Sequence, residues 1–121
     1  MIDEDDHALA GRLATEAGEL LVELRSDAFA AGAHPWQVMD EGDMRAHHFL
    51  VQALHDARPD DAILSEEGRD SSNRLTANRV WIVDPLDGTN EFGEAGRPDW
   101  AVHVALVIEG QPAAAAVALP A

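Results

Sequence analysis

The 121-residue sequence contains neither cysteine nor lysine. Without cysteine the chain can form no disulfide and no zinc–thiolate site, so oxygen atoms are the expected ligands for any metal ion. Positive charge is scarce, because eight arginines stand against 23 aspartates and glutamates, which gives a net charge of −15. Such a chain is expected to repel nucleic acid polymers and anionic lipid. A site for an anionic substrate would therefore need metal cations to reverse the local field.

Long apolar runs are also absent, since no run approaches the length of a membrane-spanning helix. The first residues, Met1 to Asp6, are acidic where a secretory signal would be basic. The length fits one domain, and we expect a cytoplasmic protein with no membrane partner. An alternative explanation of the acidity is that it only keeps the protein soluble.

Apolar residues recur at helical spacing in the first half of the chain. They predict one helix from about Asp6 to Ala31 and a second that starts near Asp43, as its N-cap, and ends before Pro59. Residues 33–42 are predicted to form a loop between them.

The second half has the short apolar runs of strands, at residues 62–64, 80–83, 100–108 and 113–119. The last two runs flank a turn at 109–112 and predict a hairpin. Two helices followed by strands predict an α+β fold in which two N-terminal helices pack on an antiparallel sheet.

Two carboxylates directly follow the second predicted strand. Asp84 and Asp87 flank Pro85 and Leu86, and Gly88 comes next. Proline fixes its own φ and glycine permits a tight backbone path, so both carboxylates and the Leu86 carbonyl should reach one side of a turn. Hard divalent cations such as Mg²⁺ prefer these ligands.

A second acidic pair, Glu66 and Glu67, follows Ser65 at the end of the first predicted strand. If the two strands are neighbours, three or four carboxylates converge, and their repulsion would raise their pKa values unless metal ions neutralise them. An ordinary turn explains Asp-Pro-x-Asp-Gly equally well on its own. The Glu pair and the following Thr89 favour the metal site.

Residues 88–90 are the candidate phosphate site. If Asn90 to Phe92 begin a helical turn, the amides of Gly88 and Thr89 point outward and can bind a phosphate oxygen. The Thr89 hydroxyl can help to orient a water molecule.

The segment from Trp81 to Phe92 resembles the metal-binding motif of the inositol monophosphatase family, which consists of Mg²⁺-dependent, lithium-sensitive phosphomonoesterases. Ser65-Glu66-Glu67 is similar to the family's upstream motif, and residues 100–106 resemble the strand that follows. The resemblance covers the N-terminal half of the layered sugar-phosphatase fold. It implies hydrolysis of a phosphomonoester by water that two or three Mg²⁺ ions activate.

The resemblance also implies roles for individual residues. The implied metal ligands are Glu66, Asp84, the Leu86 carbonyl and Asp87. The catalytic group would comprise Glu66, Asp87 and Thr89, with Glu66 and Thr89 orienting and activating the water.

Three further positions complete the implied site. Gly88 would bind the phosphate together with Thr89. Asp43 matches an acidic family position near a further metal. Glu67 would contact the metal ligands and position them without binding the metal itself. No histidine is expected to be a ligand.

The order Thr89-Asn90-Glu91-Phe92 resembles the 3′(2′),5′-bisphosphate nucleotidase (CysQ-type) branch of the family. It favours 3′-phosphoadenosine 5′-phosphate as the substrate. An inositol-1-phosphatase and a non-catalytic metal-binding half-domain are the alternatives.

The family's downstream Trp-Asp motif, whose aspartate completes the metal site, does not occur between residue 90 and Ala121. We therefore expect residues 1–121 to be the N-terminal metal-binding half, without the C-terminal domain, and to be inactive or impaired alone. The last predicted strand would leave an open sheet edge, which favours association. A homodimer is accordingly one candidate assembly.

Overall fold

Two long helices precede a four-stranded sheet. We describe the protein from a computed structural model, which covers residues 4–65 and 78–121. The helices are α1 (Asp6–Ala30), α2 (Pro35–Ala57) and the short α3 (Thr89–Phe92), and the strands are β1 (Ala62–Ser65), β2 (Arg79–Asp87), β3 (Ala101–Ile108) and β4 (Gln111–Ala118). None of the helices in these two ranges is both long and apolar enough to cross a membrane.

Helix α1 has the predicted bounds, but α2 begins eight residues earlier than predicted. Its N-cap is His34, whose ring accepts a hydrogen bond from the Trp36 amide, while the Gln37 side chain accepts one from the His34 amide at 2.8 Å. Pro35 is the first residue of the helix. A backbone N–H at this position would have no acceptor within the helix, so proline loses no hydrogen bond there. The predicted loop at 33–42 and the N-cap role of Asp43 are therefore wrong.

The strands are arranged in the order β1-β2-β3-β4. The pairs β2–β3 and β3–β4 are antiparallel as predicted, but β1 pairs with β2 in parallel, with Ser65 beside Val83. A parallel pair needs a connection of a dozen or more residues, and residues 66–78 provide it. The sheet is thus mixed, and the parallel pairing brings the carboxyl ends of β1 and β2 to the same edge.

Strand β2 is longer than predicted, because it continues through residues 84–87 instead of ending in a turn. The β3–β4 hairpin turns at Glu109 and Gly110, with φ of 50° and 78°. Two positive φ angles are what a two-residue type I′ turn requires. The hairpin prediction is confirmed.

The helices cover one face of the sheet. Alternate residues of β2 and β3 point toward them and are buried, namely Trp81, Val83, Val102, Val104 and Leu106. On the opposite face Ile82 is 40% exposed and Val117 is 58% exposed. Within the described ranges the sheet therefore has one face covered by the helices and one partly exposed face.

A network of ion pairs joins the two helices to the sheet at the start of β2. The Asp6 carboxylate accepts hydrogen bonds from Arg58 at 3.1 Å and from Arg79 at 3.0 Å. Asp61 accepts a 2.9 Å bond from Arg79 and another of the same length from the Trp81 indole. Burial would raise the pKa of Asp6, but the two arginines outweigh it and hold the pKa below its usual range.

We expect Asp6→Asn to lower the free energy of unfolding by about 1–2 kcal/mol at pH 7, because two arginines lose their shared charged acceptor. The lowered pKa means that the stabilisation is present above the unfolded-state pKa of about 3.9 and is lost as the pH falls through the folded-state value. The difference between wild type and variant should therefore shrink below about pH 4. Urea denaturation at several pH values measures it, with Glu19→Gln on the exposed face of α1 as the control. A difference that stays constant down to pH 2.5 would contradict this role of Asp6.

Candidate metal centre

Asp84 and Asp87 point to the same side of β2 although they are three positions apart. In the register of β2 and β3, Asp84 lies opposite His103 and Asp87 lies opposite Ala101. Three steps along β2 thus match two steps along β3, so β2 contains one extra residue, a β-bulge. Pro85 has no amide proton to donate to the ladder, which accounts for the position of the bulge. Because cross-strand partners share a face, the bulge places both carboxylates on one face.

His103 lies on that same face, opposite Asp84. Its Nε2 atom is 3.1 Å from Oδ2 of Asp87, and the two side chains are 40% and 61% exposed. Each of Asp84, Asp87 and His103 offers a ligand atom within 4.8 Å of the others. The face is the one opposite the helices. Sequence reasoning missed His103, because its proximity depends on a strand register that the sequence pattern does not reveal.

The backbone turns sharply after Asp87. Gly88 has a φ of +87°, and α3 starts at the next residue, as the sequence predicted for residues 90–92. The Thr89 hydroxyl lies 3.2 Å from the Leu86 carbonyl and 3.2 Å from an Asp43 carboxylate oxygen. The carbonyl oxygen keeps a second lone pair for another partner. Asp43 thus contacts Thr89, whereas the candidate ligand group in the described residues comprises Asp84, Asp87 and His103.

Helix α2 approaches this turn closely at Gly42. A Cβ atom there would lie 2.6 Å from the Phe92 ring and 3.2 Å from the Leu86 side chain. Only glycine allows this packing without a shift of the buried ring. Because Asp43 is the next residue, the close approach brings its carboxylate to Thr89.

Arg25 of α1 anchors the far end of α3. Its guanidinium donates to the carbonyls of Glu91, Glu94 and Arg97, and it stacks near the rings of Phe92 and Trp100. The side chain is almost fully buried, and burial lowers the pKa of its guanidinium. The three carbonyls hold α3 and the segment after it in place relative to α1.

The upstream acidic pair, Glu66 and Glu67, lies outside the described residues. Ser65, the residue before them, is buried, and its hydroxyl is 2.8 Å from Nδ1 of His47 on α2. Ser65 also pairs with Val83, which precedes Asp84. The last described residue of β1 is therefore held at the edge of the sheet that carries Asp84.

The donor set fits a divalent cation. Two carboxylates and a backbone carbonyl are hard oxygen ligands of the kind that Mg²⁺ binds, and the bulge brings the carboxylates together beside the His103 imidazole. A cleft of about 280 Å³ opens beside the turn, and its lining includes the acidic side chains Asp87, Glu91 and Asp99. An anionic ligand would be repelled from this cleft unless cations were bound first.

Known proteins resemble this chain along most of its length. Residues 4–121 match the model of the inositol monophosphatase family. The chain is 51% identical over 125 residues to a protein of Mycobacterium leprae named 3′-phosphoadenosine 5′-phosphate phosphatase, a match that covers 96% of this chain and 45% of that protein. It is 30% identical over 118 residues to the 3′(2′),5′-bisphosphate nucleotidase CysQ of Salmonella typhimurium, covering 90% of this chain and 46% of that protein.

The fold has close matches among solved structures. The extragenic suppressor protein SuhB of Bartonella henselae superposes with a TM-score of 0.77 at 28% identity, over 93% of this chain and 42% of that one. The chain thus spans less than half the length of these relatives.

We expect Gly88→Ala to destabilise the protein more than Gly96→Ala, by at least about 1 kcal/mol. Both glycines have positive φ, +87° and +84°, so both substitutions carry the same cost of a left-handed backbone, about 1–2 kcal/mol. A Cβ at residue 88 would also lie 2.8 Å from the Asp99 carbonyl, whereas at residue 96 it would meet open space. Urea denaturation of the two variants measures the difference, and equal losses would contradict the close packing of this turn.

Proposed function

This chain belongs to the inositol monophosphatase family, and we propose that it forms the metal-binding part of a Mg²⁺-dependent phosphomonoesterase. We propose 3′-phosphoadenosine 5′-phosphate as the substrate and the cytoplasm as the location. The observation that carries the proposal is the bulge in β2, which puts Asp84 and Asp87 on one face with ligand atoms close together.

The metal ligands in this proposal are Asp84, Asp87 and the Leu86 carbonyl, together with Glu66, with Glu67 supporting them. Two or three Mg²⁺ ions are proposed. When bound, the ions would supply positive charge for the phosphate and a more acidic water ligand. The cleft beside Asp87 is acidic, which supports cations as a requirement for substrate binding.

Thr89 and Glu66 are proposed to orient the attacking water, and the contact between Thr89 and Asp43 supports adding Asp43 to them. The Thr89 hydroxyl has one proton and two acceptors at 3.2 Å, the Leu86 carbonyl and Asp43. Its lone pairs therefore remain available to accept a hydrogen bond from a water molecule. Asp43 is suited to take the Thr89 hydroxyl proton as that hydroxyl takes a proton from the water, which is the geometry of a general base acting through one intermediate group.

Gly88 and Thr89 are proposed to bind the phosphate. Amides at the start of a helix have no intrahelical acceptor, and α3 begins at Thr89 after the left-handed residue Gly88. The packing of Gly88 against the Asp99 carbonyl fixes the direction of this backbone segment.

The choice of a nucleotide substrate is supported by the names of the relatives. The protein of M. leprae is named for 3′-phosphoadenosine 5′-phosphate and that of S. typhimurium for 3′(2′),5′-bisphosphate nucleotides. Glu91, which distinguishes the nucleotidase motif, lines the cleft beside Asp87 and Gly88. An inositol phosphate is the alternative substrate, since a relative of Rhizobium meliloti with 39% identity is named inositol-1-monophosphatase.

The proposal is tested by phosphate release from the purified protein that contains this chain, with Mg²⁺ and either 3′-phosphoadenosine 5′-phosphate or inositol 1-phosphate. We expect the nucleotide to be the better substrate by kcat/KM. Asp87→Asn should lower kcat/KM at least about 100-fold, because loss of a metal ligand removes several kcal/mol of charge stabilisation. Asp27→Asn on α1, outside the site, serves as the control.

The same assay tests the remaining assignments. Thr89→Ser should retain turnover that Thr89→Val loses, because only serine keeps the hydroxyl. The 121-residue chain assayed alone tests the prediction that it is inactive or impaired. Hydrolysis of neither substrate, or full activity of Asp87→Asn, would contradict the proposed function.

A further inference from the structure

His103 is the one member of the ligand group that the family resemblance does not assign. It belongs to β3 and stands directly across from Asp84. Its Nε2 atom is 3.1 Å from Oδ2 of Asp87. The imidazole therefore faces both carboxylates from the neighbouring strand.

We propose that His103 is a metal ligand, and that its imidazole gives this site affinity for divalent transition-metal ions such as Zn²⁺ and Co²⁺ over Mg²⁺. The proposal rests on the proposed function, since it takes Asp84 and Asp87 as ligands of the same centre. It adds to that function a ligand type and a metal preference.

The spacing of the donor atoms suits a shared ion. Zinc binds imidazole nitrogen at about 2.0–2.1 Å and carboxylate oxygen at about 2.0–2.2 Å, so two tetrahedral ligands lie roughly 3.4 Å apart. The 3.1 Å separation of the His103 nitrogen and the Asp87 oxygen is close to this value. Both side chains are partly exposed, at 40% and 61%, and can make the small adjustment without repacking the core.

The chemistry of the ligand decides the metal preference. Carboxylate, carbonyl and water ligands suit Mg²⁺, Ca²⁺ and Mn²⁺, whereas imidazole suits zinc and the later transition metals. With the oxygen ligands alone the site would be a magnesium site. The added imidazole raises affinity for Zn²⁺ and Co²⁺ and contributes little for Mg²⁺.

A purely positioning role for His103 makes a different prediction. If the imidazole only donated a hydrogen bond to Asp87 and held that carboxylate in place, its loss would weaken every metal to a similar extent. If His103 is a ligand, its loss weakens the binding of the transition-metal ions much more than the binding of Mg²⁺. The ratio of the two affinities therefore separates the two roles.

The experiment is isothermal titration of the purified protein that contains this chain with ZnCl₂ and with MgCl₂ at one pH. His103→Asn is compared with wild type, and His103→Gln is a second variant in case the first folds poorly. His55→Asn removes an exposed histidine on α2 and controls for adventitious zinc binding. Asp87→Asn tests the centre itself, and circular dichroism confirms that each variant is folded.

We expect His103→Asn to raise the dissociation constant for Zn²⁺ at least about tenfold, which is the lower limit for loss of a mere supporting group, and to change that for Mg²⁺ less than about twofold. The Co²⁺ complex of wild type should show visible absorption bands that shift or weaken in His103→Asn but not in His55→Asn. Asp87→Asn should weaken the binding of both Zn²⁺ and Mg²⁺.

If His103→Asn weakened the binding of Zn²⁺ and Mg²⁺ equally, or changed neither, His103 would not be a ligand. The proposed function would still stand in that case, provided that Asp87→Asn lost metal binding. Unchanged binding of both ions by Asp87→Asn, or no saturable binding to wild type, would contradict the metal centre and with it the proposed function.

Discussion

The candidate metal centre depends on one interruption of the sheet. Because Pro85 cannot donate to the ladder, β2 carries an extra residue between Asp84 and Asp87, and residues three apart come to share a face. In a regular strand these two carboxylates would point to opposite sides. The same bulge leaves the Leu86 side chain buried toward the helices and exposes Asp87, so that one short segment contributes both to the core and to the site.

The helices support this segment from the other side of the sheet. Gly42 lets α2 pack against Leu86 and Phe92, and Arg25 ties carbonyls within and after α3 to α1. The turn at Gly88 is thus held between two helices and the start of β3. Precise placement of this kind is what a catalytic constellation requires, because small displacements of ligands cost large factors in rate.

Much of this arrangement could be predicted from the sequence, and the failures have identifiable causes. The periodicity of α1 and the apolar runs of β2, β3 and β4 are strong local signals, and Asp-Pro-Leu-Asp-Gly-Thr contains two of the three residues of the candidate ligand group. The predicted start of α2 was wrong because Asp43 was taken as the N-cap, whereas the cap is His34 and Pro35 directly after it begins the helix. The parallel pairing of β1 and the position of His103 beside the carboxylates depend on non-local register, which no local pattern encodes.

The most direct test of the central claim, that the bulge forms a divalent-cation site, is paramagnetic broadening by Mn²⁺. Manganese prefers the same oxygen ligands as Mg²⁺. Substoichiometric Mn²⁺ added to the ¹⁵N-labelled chain should first broaden the amide signals of residues 84–89 and 101–103, and excess Mg²⁺ should restore them. Broadening spread evenly over the acidic surface of α1, at Glu16, Glu19 and Glu23, with no preference for the bulge, would contradict the account.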